Sequence, residues 1–534
     1  LKLTRRLRFT LAGLTLFLLL TGFLAANGDL FFQITRNLEI FSKVYRLVLI
    51  NYVDEIDPTT FTGEGIDAML KTLDPYTVFL NSSGAEIDLL MTGNTAGVGI
   101  SVVKRGKEIR ISEIIEGYSA HREGVRVGDV ILSIDSVKIN SLSDLSTRAR
   151  GNAGSKVTLT IRRDDTNEEL TFKLTREKME TQSVLASEVI AGNLGYIKLY
   201  RFNKNAGDDI KKALIGLQEK NIGGLILDLR GNPGGRLDEA ASVAKKFLPN
   251  KALIVSTRGR SAESNKSFSS DETPVYTGPM VVLIDSMSAS ASEIVAGALQ
   301  DHDRAVIVGK QSYGKGLVQT ILPVAYDTNV KITTARYFTP SGRCIQIRPI
   351  NQLSEHPDTL KPREFKTDKG KIVLEANGIS PDVAVTEEPV PQMISELIEE
   401  KLIADFVASW LTGNTEPVTP SFQVNDAVFN AFLAWLKKEK VSESLELSTY
   451  LDDIVISLAD DTKYSRFSKK ITEAKTQLSE DLNEDVVSHR NLVSSLIRKE
   501  ILTRKLSMAE MLNATWKQDA YLVKSAEILK ERKN

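Results

Sequence analysis

An apolar run, Val281–Ile284, is followed by a segment with helical spacing, Ile294–Gln300 (IVAGALQ), and then by a second short apolar run, Ala305–Val308. Short strands joined by one helix of this length predict a parallel pair with a right-handed crossover. Both strands of such a pair end at the same sheet edge, where open α/β folds place their ligands. Ser288, Ser290 and Ser292 lie just past the first strand, and Lys310 and Lys315 lie in the loop GKQSYGKG past the second. A third strand, Gly224–Leu229, runs into Arg230-Gly231-Asn232-Pro233-Gly234-Gly235, whose glycines leave backbone N–H groups free to point at an anion. One edge is therefore expected to hold a hydroxyl, an amine and a candidate oxyanion hole.

This chemistry needs no histidine. A lysine can take the proton of a serine hydroxyl only if it is neutral near pH 7. Desolvation lowers a lysine from about 10.4 by up to ~3–5 units, so the amine must sit among apolar groups. Ala289, Ala291, Ile294, Val295, Leu317 and Val318 are available, whereas His121, His302, His356 and His489 are scattered and none sits in a triad-like context. Two plainer readings compete. Ser290-x-x-Glu293 also fits a capping box, in which the serine only starts the helix. Gly309-x-x-x-x-Gly314-Lys315 is close to a phosphate-binding loop, but Gly316 stands where Ser or Thr is required and no helix pattern follows, so nucleotide binding is not expected.

The blocks DLRGNPGG, SASASE, AGALQDHDRAVIVG and YGKGLVQ, in this order, resemble the C-terminal processing (tail-specific) peptidases, PDZ-containing serine proteases with a Ser/Lys dyad. The likeness runs from about Asn51 to about Val385. It implies Ser290 as nucleophile, Lys315 as general base and Gln319 as the residue that orients the lysine. It also implies an oxyanion hole formed by the N–H groups of Gly235 and Ala291. Direct contact between Gln319 and Lys315 requires a helical turn, because four residues along a strand span roughly 13 Å.

With 534 residues the chain is long enough for three or four domains. Its net charge of −1 and the lack of a basic stripe give no expectation of nucleic-acid binding. The single cysteine, Cys344, excludes an internal disulfide framework and a Cys-based zinc site and reads as a small packing residue; no cofactor or metal is implied. Lys2, Arg5, Arg6 and Arg8 precede an uncharged stretch, Phe9–Ala26. That pattern is a secretory signal or an uncleaved anchor. With no clear A-x-A site, an inner-membrane anchor at 1–28 is expected, with the bulk of the chain in the periplasm or otherwise outside the cytoplasm.

Residues 29–94 carry helical periodicity and are expected to serve the protease core or dimerisation. From 95 to 179 the pattern changes to short alternating strands (VGISVV, EIRISEI, DVILSID, KVTLTIRR, ELTFKLT). With Gly97-Val98-Gly99-Ile100 at its start and GVRVGDVILSID in its middle, this stretch resembles a PDZ domain. The resemblance implies that those four residues offer backbone N–H groups to a peptide C-terminal carboxylate while the peptide adds to the sheet edge. Arg150 matches a position where gated relatives couple PDZ occupancy to the active site; a solvated loop charge is the other reading.

Residues 180–390 return to α/β alternation, with Arg258–Asp271, rich in serine and charge, expected as a mobile surface loop near substrate. Beyond 391 the chain turns helical and charged to 534. Ile398, Leu402, Phe406 and Trp410, and then Phe429, Phe432, Leu433 and Leu436, form apolar faces for the protease body, a second subunit or an adaptor, with an intramolecular core preferred. The expected whole is a multidomain α/β and α+β chain, with an α/β serine-protease core, an inserted PDZ domain and a helical C-terminal extension. Its expected activity is that of an endopeptidase that binds the C-termini of unfolded or flexible proteins; the rival is a proteolytically silent PDZ scaffold for C-terminal tails. Substrate proteins and peptides are the expected partners, with a homodimer or adaptor besides.

Overall fold

The computed structural model describes residues 31–531 apart from 81–94, 347–361, 459–464 and single positions or pairs at 106–107, 116, 164–165, 180–181, 327, 376, 387–388, 415 and 440. The expected anchor, 1–28, lies outside these residues. Among the described residues no helix is long and apolar enough to cross a membrane.

Contacts divide the chain into two units, residues 1–79 and 80–534. In the first, a helix over 31–51 precedes a second, Pro58–Lys71, which starts with Asp57 accepting from the Thr60 N–H and with proline at a position that needs no donor. Tyr45 stacks on Phe61 at 5.9 Å between ring centroids, while Phe41 and Leu47 stay exposed.

The second unit opens with a five-stranded antiparallel path in the order Ile100–Arg105, Glu108–Ile114, Val130–Ile134, Lys156–Arg162 and Glu169–Thr175. Alternate residues such as Val157, Leu159 and Ile161 bury one face, as the period-two pattern requires. Leu145 of the helix Leu142–Ala149 closes that core, and Ile100–Arg105 is an edge strand.

The central sheet has six strands that follow one another in space in the order of the sequence: β1 Val184–Ile190, β2 Leu194–Leu199, β3 Gly224–Asp228, β4 Met280–Ile284, β5 Val306–Gly309 and β6 Val383–Ala384. All pairs except β1–β2 are parallel. Helices α1 Ala206–Gln218, α2 Leu237–Lys245 and α3 Ala291–Asp301 connect β2 through β5. When consecutive strands are added in one direction, right-handed crossovers put every helix on the same face. That face holds Leu225, Leu227, Val282, Ile284 and Ile307 against the three helices. Packing is close enough that a Cβ on Gly207 of α1 would lie 2.0 Å from the Ser242 hydroxyl on α2.

The opposite face, with Ile226, Val281, Leu283 and Val308, is covered from the C-terminal region by Leu502, Met511 and Leu512 and by Tyr521, Leu522 and Leu529 of α4, Ala520–Glu531. The preceding helices form their own core, in which Phe406 meets Phe432 edge-on at 5.0 Å. The intramolecular reading of these apolar faces holds, although Ile398 is 42% exposed and Ile394 and Leu397 take the buried positions instead.

The stretch 258–271 differs from its expectation as a mobile loop. Strand Leu253–Gly259 pairs antiparallel with Lys266–Ser269, and the Thr257 hydroxyl donates to the Ser264 carbonyl, so a hairpin replaces the loop. Ser267 and Ser269 share the exposed face of the strand while Phe268 packs its other face on the core, a division that a polar composition alone does not reveal. Cys344 is buried, and burial raises its thiol above the ordinary value, as befits a packing residue.

Candidate active site

Three loops meet at the C-terminal edge of the sheet. After β4 the chain turns at Asp285–Ser288 and enters α3 through Ser290, whose φ of 56° and ψ of −111° are strained for a residue with a side chain. Strand, sharp turn with a serine at positive φ, then helix is the local geometry of a nucleophile elbow. The neighbouring serines are engaged elsewhere. Ser288 is buried with its hydroxyl donating to the Leu229 carbonyl at 2.8 Å, and the buried Ser292 hydroxyl donates to the Asn232 carbonyl at 2.9 Å. Among the three serines, Ser290 lines the cavity described below.

The glycine loop is stapled to that turn by Asn232. Its amide donates to the Leu199 carbonyl at 2.9 Å, its side-chain oxygen accepts from Gly234 N–H at 2.9 Å, and its carbonyl accepts from Ala289 N–H at 3.0 Å. A Cβ on Gly234 would lie 2.9 Å from the Ser290 Cβ, and one on Gly235 (φ 148°) would lie 2.4 Å from the Phe202 carbonyl oxygen, so glycine is required at both. Among the described residues no protein group accepts from the Gly235 or Ala291 N–H. Asn232→Ala is expected to cost about 2 kcal/mol of stability, measured by denaturant unfolding, because it leaves buried amide and carbonyl groups without partners.

Glu293, fully buried on the first turn of α3, ties the serine turn to the lysine loop. One carboxylate oxygen accepts from Ser290 N–H at 2.7 Å and Lys315 N–H at 3.0 Å; the other accepts from the Ser312 hydroxyl at 2.5 Å and Gly314 N–H at 2.7 Å. Burial pushes this carboxyl up to about 7 against the four donors, which favour the ionised form. The Tyr337 hydroxyl, itself raised by burial, donates toward the carbonyls of Ser290 and Lys315. The glutamate half of the capping box is thus formed, with Glu293 accepting from the Ser290 N–H, and the same carboxylate does more than start a helix. Alternation along Val330–Phe338 reads as a strand without singling out Tyr337, and Asn232 is visible only as part of the glycine loop.

A cavity of about 570 Å³ opens at this edge. Ser290, Ala291, Gly235, Gln319 and Arg150 all line it, with Arg150 entering from the end of the helix Leu142–Ala149. Ile294, Leu317 and Val318 supply apolar wall. Lys315 is half-buried beside the cavity rather than part of its lining, held by its backbone as described. Gln319 lies on the strand Leu317–Pro323, next to a bulge, with its amide donating to Thr333 Oγ1 at 3.4 Å. It does not occupy the helical turn that direct contact with Lys315 demands; pairing with Asn329–Phe338 draws the segment into a separate sheet, the one that holds the hairpin Leu253–Ser269. Gly97–Ile100 lies apart from this cavity, at the start of the edge strand; Gly99 has φ 84°, and a Cβ there would lie 2.3 Å from the Tyr118 Cβ. No group of metal-ligating side chains occurs among the described residues.

An α/β sheet with a strained serine turn, unpaired N–H groups beside it and an attached PDZ-type module defines a PDZ-bearing serine protease. Residues 193–352 match the model of peptidase family S41, 96–174 that of the PDZ domain, and 393–529 that of a probable PDZ-protease C-terminal helical domain. The carboxy-terminal-processing protease of Bartonella bacilliformis is 38% identical over 324 residues, covering 58% of this chain and 73% of the relative. The carboxy-terminal processing protease CtpB of Bacillus subtilis is 33% identical over 58% of this chain and 65% of its own. A solved photosystem II D1 C-terminal processing protease is 28% identical, covering 66% of this chain and 93% of its own, with a TM-score of 0.37. The chain belongs to the carboxy-terminal processing proteases of peptidase family S41.

Proposed function

We propose that Ser290 is the nucleophile and Lys315 the general base of an endopeptidase that takes its substrates by their C-termini. The carrying observation is the strained Ser290 turn, bound through Glu293 to the backbone of Lys315 and facing a cavity with two unused N–H donors. In this reading the Ser290 hydroxyl attacks the scissile carbonyl while the Lys315 amine takes its proton and later gives it to the leaving amine. The Gly235 and Ala291 N–H groups receive the developing oxyanion. Gln319 lines the substrate cleft in this reading, and a positioning contact with Lys315 requires residues 315–319 to leave the strand for a helical turn.

The PDZ module, taken as 95–179 beside protease residues 180–390, receives the tail. Its carboxylate meets the backbone of Gly97, Val98, Gly99 and Ile100, and its extended chain pairs with the edge strand Ile100–Arg105. Arg150 then reports an occupied groove to the cavity it lines, which supports a coupling role over a solvated charge. An extracytoplasmic location, with residues 1–28 as inner-membrane anchor, and a homodimer or an adaptor contact accompany this reading.

Labelling with a serine-directed fluorophosphonate, read by mass spectrometry, tests the dyad. Modification is expected at Ser290 and is expected to slow by at least about 10²-fold in Lys315→Ala, the range general-base assistance supplies. Labelling at another residue, or at an unchanged rate in Lys315→Ala, would overturn the assignment.

A further inference from the structure

The face of the sheet that the crossovers leave bare is covered by the chain's own C-terminal region, and there the first turn of α4 reaches both active-site loops. Asp519 caps α4, accepting from the N–H groups of Tyr521 at 3.0 Å and Leu522 at 3.2 Å. The same carboxylate accepts from Arg230 Nη1 at 3.1 Å and pairs with its Nη2 at 3.0 Å. The Arg230 guanidinium lies over the Tyr521 ring, 4.7 Å from its centroid. Tyr521 also presses on β5, since a Cβ at Gly309 would lie 3.0 Å from its ring. Arg230 opens the glycine loop that carries Gly235, and Gly309 opens the loop that carries Lys315.

The charges balance only if α4 is in place. Asp228, fully buried at the end of β3, accepts from Arg230 (2.7 Å), Lys198 (3.2 Å) and the Tyr196 hydroxyl (2.8 Å). Burial raises its carboxyl, but the Arg230 and Lys198 charges outweigh that and hold it well below the usual range. Lys198 reaches the Arg230 carbonyl as well, at 2.5 Å. Two cations thus face two carboxylates, and one of those, Asp519, comes from the C-terminal region. Without it a largely enclosed guanidinium keeps one shared counter-charge and must move toward water or a new acceptor, taking the start of the glycine loop with it.

We propose that Asp519 and Tyr521 are positioning residues of the protease, so that the C-terminal helical region holds the oxyanion loop in register with the Ser290 turn rather than serving only as a separate module. The inference rests on the reading of Ser290 and Gly235 given above.

Asp519→Asn in the full chain is the test. Asparagine caps a helix as well as aspartate does, so α4 keeps its start while Arg230 loses a charge partner. The expected result on an unfolded protein substrate is a kcat lowered about tenfold with KM within about twofold, since a small displacement of oxyanion donors acts on the transition state more than on binding. Asp519→Glu is expected to recover at least about half of the lost kcat through the restored charge. Leu529→Ala, further along the same helix, is expected to lower the melting temperature while leaving kcat within about twofold. A kcat for Asp519→Asn within twofold of the parent, a loss appearing only in KM, or an equal loss of kcat in Leu529→Ala would overturn the proposal. Ser290→Ala measured beside them separates the two ideas: if it stays active, the nucleophile assignment fails, whereas if it is inactive and Asp519→Asn is fully active, only the positioning role fails.

Discussion

Ser290→Ala is expected to lower turnover of a casein-like unfolded substrate by at least about 10⁴-fold, with the far-ultraviolet signal and the melting transition retained. Removing the hydroxyl leaves the N–H pair and the cleft, which supply some stabilisation without covalent chemistry. The strained backbone adds a second, independent outcome. An L residue at φ 56°, ψ −111° costs about 1–3 kcal/mol, which glycine does not incur, while glycine gives back about 0.5–1 kcal/mol through the entropy of the unfolded chain. Ser290→Gly is therefore expected to be as inactive as Ser290→Ala yet more stable, by about 1 kcal/mol in denaturant unfolding. Equal turnover by parent and Ser290→Ala would remove Ser290 from the mechanism, and a Ser290→Gly less stable than Ser290→Ala would show that the turn stores no strain.

Glu293→Gln is expected to lower kcat by about 10²-fold, because a misplacement of reacting groups by even 1 Å carries losses of that size. An ionised carboxylate offers both oxygens to four donors; an amide turns one end into a donor that faces either Ser290 and Lys315 N–H or Ser312 and Gly314. The parent is expected to lose activity as pH falls through about 7, where protonation does the same to the carboxylate. Stability runs the other way. Burial raises the folded carboxyl above its unfolded value, so the folded chain binds the proton more tightly between about 4.5 and about 7. The contribution of Glu293 to stability therefore falls as pH rises across that window, by about 3 kcal/mol at most. Unfolding midpoints at pH 5 and pH 8 check this: the difference between them should shrink in Glu293→Gln. An unchanged difference, or a kcat within a factor of two of the parent at pH 8, would sink the role assigned to Glu293.

Much of the architecture could be read from linear pattern. Period-two alternation marked the strands around Val157–Ile161, and the strand–helix–strand run through Ser290 predicted the parallel pair of β4 and β5, because side-chain direction repeats locally and needs no distant partner. The serine, the glycine loop and Arg150 were likewise visible, and they line one cavity. Segment 258–271 was not legible as a hairpin, since serine and charge look alike in a loop and on a half-exposed strand. Whether Gln319 meets the condition for contact with Lys315 was not legible, and it sits on a strand because its pairing partner, Thr333, lies 14 residues downstream. Glu293 shows the boundary clearly. Spacing marked it as a cap, but only the fold brings Ser312, Gly314 and Lys315 to the same carboxylate.

What the sequence alone determined, then, is whatever depends on neighbours within a few positions: the elements, the parallel edge, the serine at the head of α3 and the order of the modules. What only the tertiary structure decided is which distant groups share charge and space: Asp519 on Arg230 across 289 positions, α4 on the bare face of the sheet, and Lys315 held by its backbone beside the cleft. The physical reason is that burial energies and ion pairs depend on separation in space. Chain separation says nothing about that distance until packing has closed the loops between.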